Sequence, residues 1–137
     1  MEKIKLWYYK FLGKLLLDYS HKKLIKLNNE DPLFHNFVSN FKGKIIISTE
    51  NNEIKRSLIF NGNGNIKYTK KKVNEPDASF IFNSIKDLYK FFRNYGDVYE
   101  GMLENRFKIR GNSNILFKYQ FLTNYFNPKK EKIPISL

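Results

Sequence analysis

Apolar and polar positions follow more than one rhythm along this chain. From Ile4 to Leu27 the spacing is helical. Ile4, Trp7, Phe11, Leu15 and Tyr19 share one face, widened by Leu12 and Leu16, while Lys3, Lys10, Lys14 and His21 share another. The apolar face reads as the one docked on a core, and His21 as a helix-surface residue. Asn28-Asn29-Glu30-Asp31 breaks the pattern. Asp31 can cap a second helix with Pro32 at its first position, where the missing N–H costs nothing. Phe34, Phe37, Val38 and Phe41 give that helix its apolar face, and Gly43 is expected to end it.

The period then shortens to two. Lys44 to Glu50 carries the β-branched run Ile45-Ile46-Ile47, and Ser57 to Asn61 alternates with Leu58 and Phe60 on one side. Asn61-Gly62-Asn63-Gly64-Asn65 is strong turn chemistry. Ile66 to Lys72 follows with Ile66 and Tyr68 inward, then, past a loop at Pro76, Ala78 to Asn83 with Phe80 and Phe82 on one face. The short connections predict an antiparallel meander. Ser84 can cap a helix running to Asn94, with Asp87 in the capping-box position and Gly96 as its stop. A short helix at Val98 to Glu104, a fifth strand at Arg106 to Arg110 with Phe107 and Ile109 inward, and a last helix at Ser113 to Phe126 complete the order. The expected class is α+β, one sheet covered by helices.

Composition narrows the functions. The chain has 137 residues, enough for one domain with a real core, and its 42% hydrophobic and 17% aromatic content excludes a disordered chain. With no cysteine, disulfide scaffolds, thiolate zinc sites and cysteine nucleophiles are excluded. No apolar run is long enough to cross a membrane, and no signal-peptide cleavage site follows Leu6–Leu17, so a cytoplasmic protein is expected. The net charge of +12 admits a nucleic-acid or anionic-membrane partner. The excess is nearly all lysine, however, with only Arg56, Arg93, Arg106 and Arg110 as arginines. Dedicated nucleic-acid readers favour arginine's planar fork. Abundant Lys, Asn, Ile, Phe and Tyr reflects AT-rich codons, so composition explains the charge better than a polyanion surface does. The tight cluster Lys70-Lys71-Lys72 reads as a solvated strand end.

Catalytic constellations are missing. The carboxylates are scattered without an acid–base pair, His21 and His35, both in the N-terminal third, read as helix-surface residues rather than bases, and no nucleophile elbow is present. Gly62-Asn63-Gly64 lacks the lysine and following helix of a phosphate loop. The sequence therefore predicts no enzyme and calls for no cofactor or metal.

The region Phe41 to Phe126 resembles the sterol carrier protein-2 (sterol transfer) family. The sharpest part is Gly96 to Leu122. There the family runs from a helix end through an acidic residue, here Asp97, and a short helix, here with Met102 and Leu103. Its Gly-Lys-Leu-Lys-hydrophobic-basic-Gly-Asp strand is similar to Asn105-Arg106-Phe107-Lys108-Ile109-Arg110-Gly111-Asn112, and its Lys-Leu-Gln helix to Lys118-Tyr119-Gln120 with Leu122. Upstream, Pro76 to Phe82 and Asp87-Leu88 resemble the strand and the helix that follows it. Asn105 stands for the usual glycine and Asn112 for the usual aspartate; asparagine tolerates positive φ at the first site and can cap a helix at the second.

The resemblance implies a five-stranded, mainly antiparallel sheet covered by helices, with an apolar tunnel for acyl chains, acyl-CoA, sterols or isoprenoids. It implies a lipid-binding domain at residues 29–126, between an extra N-terminal amphipathic helix at 1–28 and a polar tail at 127–137. Phe80, Phe82, Leu88, Phe92, Met102, Leu103, Phe107, Tyr119 and Gln120 are the ligand-lining candidates, with Phe117 and Phe121 adding to the bulky set. Gln120 would be a lone polar anchor if it faces inward. Any single one of the apolar residues can equally be plain core. The expected function is non-catalytic lipid binding and transfer. A nucleic-acid module using the lysine excess, or a structural partner domain with a filled core, is the alternative. The N-terminal helix has too many apolar groups to leave in water. It must cover the body of the protein, pair with another subunit, or make transient contact with an anionic membrane.

Overall fold

The computed structural model describes residues 2–93 and 98–125. They form α1 (Glu2–Glu30), α2 (Pro32–Ser39), β1 (Lys42–Thr49), β2 (Lys55–Asn61), β3 (Ile66–Thr69), β4 (Ala78–Phe82), α3 (Ile85–Arg93), α4 (Val98–Leu103), β5 (Phe107–Gly111) and α5 (Ser113–Tyr125). The expected helix stop at Gly96, the acidic Asp97 and the polar tail from Asn127 lie outside the described residues, as do the side chains of Lys3 and Ile4.

Local chemistry fixes the element ends. Asp31 Oδ1 accepts from the N–H groups of Leu33 (3.0 Å) and Phe34 (3.3 Å), with Pro32 at the first helical position. The N–H of Phe41 bonds back to the Val38 carbonyl (3.0 Å), so α2 stops there. Gly43, expected to end that helix, instead lies inside β1, where an added Cβ would sit 3.2 Å from the Phe41 ring and 3.3 Å from Ile115. Between β2 and β3, Asn61 Oδ1 accepts from the N–H groups of Asn63 (2.8 Å) and Asn65 (3.2 Å), and Gly62 and Gly64 take φ of 85° and 87°. Ser84 Oγ accepts from the Asp87 N–H (3.1 Å) and donates to its carboxylate (2.9 Å), a capping box ahead of α3. Asn105 adopts φ 53°, and Asn112 Oδ1 caps α5 through the Asn114 N–H (3.0 Å).

The sheet order is β3-β2-β1-β4-β5. Three pairings are antiparallel, but β4 runs parallel to β1 in the register Ile45↔Ala78 to Thr49↔Phe82. This corrects the meander. β4 does not follow β3 at the edge but crosses back over β2 and β1, about 14 Å at the usual strand spacing. Residues 70–77 make that crossing on the face away from the helices, where Ser57 Oγ donates to the Lys71 carbonyl (2.9 Å). Ser57 and its neighbour across the ladder, Ile46, are buried there as a result. The Asp77 N–H bonds to the Lys44 carbonyl (2.9 Å) and its carboxylate accepts the Lys44 N–H (2.8 Å), which sets the start of β4 beside β1.

The core lies between the helices and one sheet face: Ile45, Ile47, Leu58, Phe60, Phe80 and Phe82 alternate onto that face and are buried. Helix α1 packs along α3 with Gly13 at the close approach, where a Cβ would meet Leu88 at 3.5 Å and Ile85 at 3.8 Å. Its inward line is Gly13, Leu17, His21, Leu24 and Asn28, all buried. The expected orientation of α1 is therefore reversed. The face with Lys10, Lys14 and His21 is the docked one, its lysines half-buried, and the Trp7–Tyr19 face points outward.

Candidate functional site

The aromatic residues converge under α3 and α5. β4 contributes Phe80 and Phe82, β5 Phe107, α3 Phe91 and Phe92, and α5 Tyr119. Ring centroids lie 5.1 Å apart for Phe80–Phe107, 5.1 Å for Phe82–Phe91, 4.9 Å for Phe91–Phe92 and 5.5 Å for Phe80–Tyr119. Leu88 is buried in the same cluster. The mixed T-shaped and tilted geometries are those aromatic rings prefer. Six of the nine ligand-lining candidates thus meet in one layer, in contact with one another.

At one side of this layer sits a polar hub that sequence reasoning missed. His21 is 1% exposed. Its Nδ1 faces the Leu17 carbonyl (2.8 Å), which can only accept, so Nδ1 carries the proton and Nε2 accepts from the Tyr119 hydroxyl (2.8 Å). The imidazole stacks on Tyr68 (4.8 Å) and meets Phe92 edge-on (5.7 Å). Burial pushes the His21 pKa down to about 4, against the opposing pull of the Leu17 carbonyl and Asp18. Burial also raises the Tyr119 phenol well above its ordinary range. Next to it, Asp18 accepts from Arg56 Nε (3.0 Å) and from the Tyr68 hydroxyl (2.5 Å). Burial alone would raise the Asp18 carboxyl; the bonds from Arg56 and Tyr68 more than offset it and hold it below its ordinary range. The signal for His21 was its position between Leu17 and Leu24, at i−4 and i+3 on one helical line.

The other candidates lie apart from the cluster. Met102 and Leu103, on α4, are 45% and 69% exposed. Gln120 is half-buried: its Oε1 accepts the Val98 N–H and its Nε2 donates to Asn124 Oδ1 (2.5 Å), which ties the start of α4 to α5. Phe117, on the outer side of α5, is 55% exposed. Among the described residues, no cluster of His, Asp or Glu could hold a metal ion.

No protein-family model and no curated protein matches the sequence. Solved structures do match the fold. UbiJ-SCP2, a ubiquinone synthesis protein, superposes with a TM-score of 0.58 at 13% identity, over 77% of this chain and 93% of that one. The sterol carrier protein domain 2 of Helicoverpa armigera gives 0.52 at 20% identity, over 85% and 91%. The fold is that of the sterol carrier protein-2 domains. The expected class, a five-stranded mainly antiparallel sheet with helical cover and an N-terminal helix, holds, with the parallel β1–β4 pair as its mixed element.

On this sterol-carrier fold, α1 presents a second surface. Trp7 and Phe11 stack face to face (5.7 Å, 7° between planes) in full view of solvent, and Leu15 and Tyr19 extend the line. Beyond Tyr19, a groove of about 360 Å³ is lined by Tyr19, Lys22, Lys23, Lys26, Leu27 and Glu30. No helix among the described residues is long and apolar enough to cross a membrane.

Proposed function

We propose that this protein is a non-catalytic lipid carrier that takes a long apolar chain between its sheet and helices α3–α5. The observation that carries the reading is the aromatic layer of Phe80, Phe82, Phe91, Phe92, Phe107 and Tyr119, set in the sterol carrier protein-2 fold. In this structure the rings touch, so a ligand enters by parting them, with the helical cover moving away from the sheet. Fatty acids, acyl-CoA, sterols and isoprenoid chains share the required chemistry. The likeness to a ubiquinone synthesis protein supports keeping isoprenoids in that set. On loading, Leu88 joins the rings as lining, Met102 and Leu103 stand at the rim, and Gln120 offers an amide to the polar end of the chain. Native mass spectrometry of protein purified without detergent, then organic extraction, identifies a resident lipid. Titration with a fluorescent fatty acid, competed by unlabelled acyl, sterol and isoprenoid chains, should give saturable binding near one per chain. Absence of both a resident lipid and saturable binding would leave a filled-core partner domain as the function.

A further inference from the structure

We propose that the hydrogen bond between His21 and Tyr119 is a proton-sensitive latch on the apolar compartment: a proton taken up by His21 frees α5 from α1 and opens the way between the rings. The inference rests on the carrier reading of that interior. His21 sits where three elements meet α1. Its ring stacks on Tyr68 of β3 (4.8 Å) and on Tyr119 of α5 (5.8 Å), and meets Phe92 of α3 edge-on (5.7 Å). Two of these neighbours, Phe92 and Tyr119, belong to the aromatic layer that a ligand must part.

Both imidazole nitrogens are in use: Nδ1–H donates to the Leu17 carbonyl and Nε2 accepts from the Tyr119 hydroxyl, each at 2.8 Å. A second ring proton can go only on Nε2. The nitrogen then no longer accepts, and the Tyr119 hydroxyl loses its partner. The new charge is also stranded. The charged and titratable groups facing the imidazole are Asp18 of α1 itself, Tyr68 of β3 and Tyr119 of α5, while α3 presents Phe92. Asp18 is already taken by Arg56 of β2 (3.0 Å) and by the Tyr68 hydroxyl (2.5 Å). A buried imidazolium beside a neutralised carboxylate gains most by meeting water, and withdrawal of Tyr119 admits it.

The helix that yields is α5. Helix α3 packs along α1 and buries Ile85, Leu88, Phe91 and Phe92. Helix α5 keeps a second hold at its far end, where the Tyr125 hydroxyl donates to Asp31 (2.7 Å) and serves as the pivot. Gln120 accepts the Val98 N–H, so α4 travels with α5. Swinging α5 off His21 lifts the Tyr119 ring from Phe80, now 5.5 Å away, and opens the layer.

Hydrogen–deuterium exchange of the full chain in low urea, corrected for the intrinsic rate, reads the opening without any ligand. Protection of Ser113–Tyr125 should fall by up to about 25-fold from pH 7.5 to 5.0, the factor by which an imidazole released from a pKa of about 4 to 6.5 gains its proton over that interval. It should depend little on urea, as a local opening does, while Ile85–Arg93 follows urea as steeply as global unfolding. Release of a pyrene-labelled long-chain alcohol, uncharged at both pH values, should quicken over the same interval. In His21→Leu with Tyr119→Phe, exchange of α5 and release should both be independent of pH. Should that variant fail to fold, the urea contrast in the parent decides alone. Protection of α5 unmoved by pH, or as steep in urea as that of α3, overturns the latch. So does release of the alcohol at one rate at both pH values. Opening of α5 in acid with no binding of the alcohol at either pH removes the carrier reading, and with it the compartment the latch would guard.

Discussion

Lowering the pH from 7.5 to 5.0 should cost this protein about 2 kcal/mol of stability through one side chain. His21 is pushed down to about 4 in the folded state, against 6.5 as its ordinary value. Between those two values the unfolded chain binds the proton and the folded chain does not. Stability from this group is therefore full above about pH 6.5 and is lost as the pH falls toward 4. The whole window is about 2.5 pH units, roughly 3 kcal/mol, of which about 2 is gone at pH 5. Most carboxylates titrate below that pH and contribute little over the interval. Urea unfolding at the two pH values measures the loss as a midpoint shift of about 1 M at a slope usual for this size. The control is His21→Leu with Tyr119→Phe, which removes both ends of the buried hydrogen bond and leaves neither unpaired. Its midpoint should fall much less over the same interval. Equal falls in parent and double variant would refute a neutral, buried His21 as the origin.

Two glycines should respond in opposite directions to alanine. At Gly13 the new Cβ meets Leu88 at an ordinary 3.5 Å inside a helix, so Gly13→Ala should raise stability by up to about 1 kcal/mol. At Gly111, with φ +89° and the Asp77 carbonyl oxygen 2.3 Å from the new Cβ, alanine should cost at least about 2 kcal/mol, read from the same denaturant midpoints. Asp18→Asn should cost about 1–3 kcal/mol, less than a fully buried pair because Asp18 is 27% exposed, and the loss should persist in high salt because Arg56 is 8% exposed.

Where backbone conformation is dictated locally, the sequence was legible. The Asn61–Asn65 turn, the caps at Asp31, Ser84 and Asn112, and positive φ at Asn105 all follow from side-chain chemistry within a few residues. What failed was non-local. The place of β4 depends on a crossing over two strands, which no short-range pattern encodes. Helix α1 is apolar on both sides. Its outward aromatic line is the bulkier, while its inward line is built from Gly13, Leu17, His21 and Leu24, so periodicity identified a helix but chose the wrong face to bury. His21 was misplaced for the same reason, since a polar residue on the side with Lys10 and Lys14 reads as solvated. Of the candidate site, the aromatic strand positions Phe80, Phe82 and Phe107 were readable from alternation alone. The exposure of Met102 and Leu103 was not, because apolar residues in one short helix carry no orientation signal.

The bond between His21 and Tyr119 joins positions 98 residues apart, and Tyr125 reaches Asp31 across 94. In chain order α1 precedes both α3, the helix it packs along, and α5, which brings Tyr119 to His21. Until α3 has been made, both greasy flanks of α1 are open, and the outward one stays exposed in the folded protein. The growing chain therefore carries its most adhesive segment unprotected while β1 to β4 are being made. Like charge on its lysines opposes self-association of that helix over this interval.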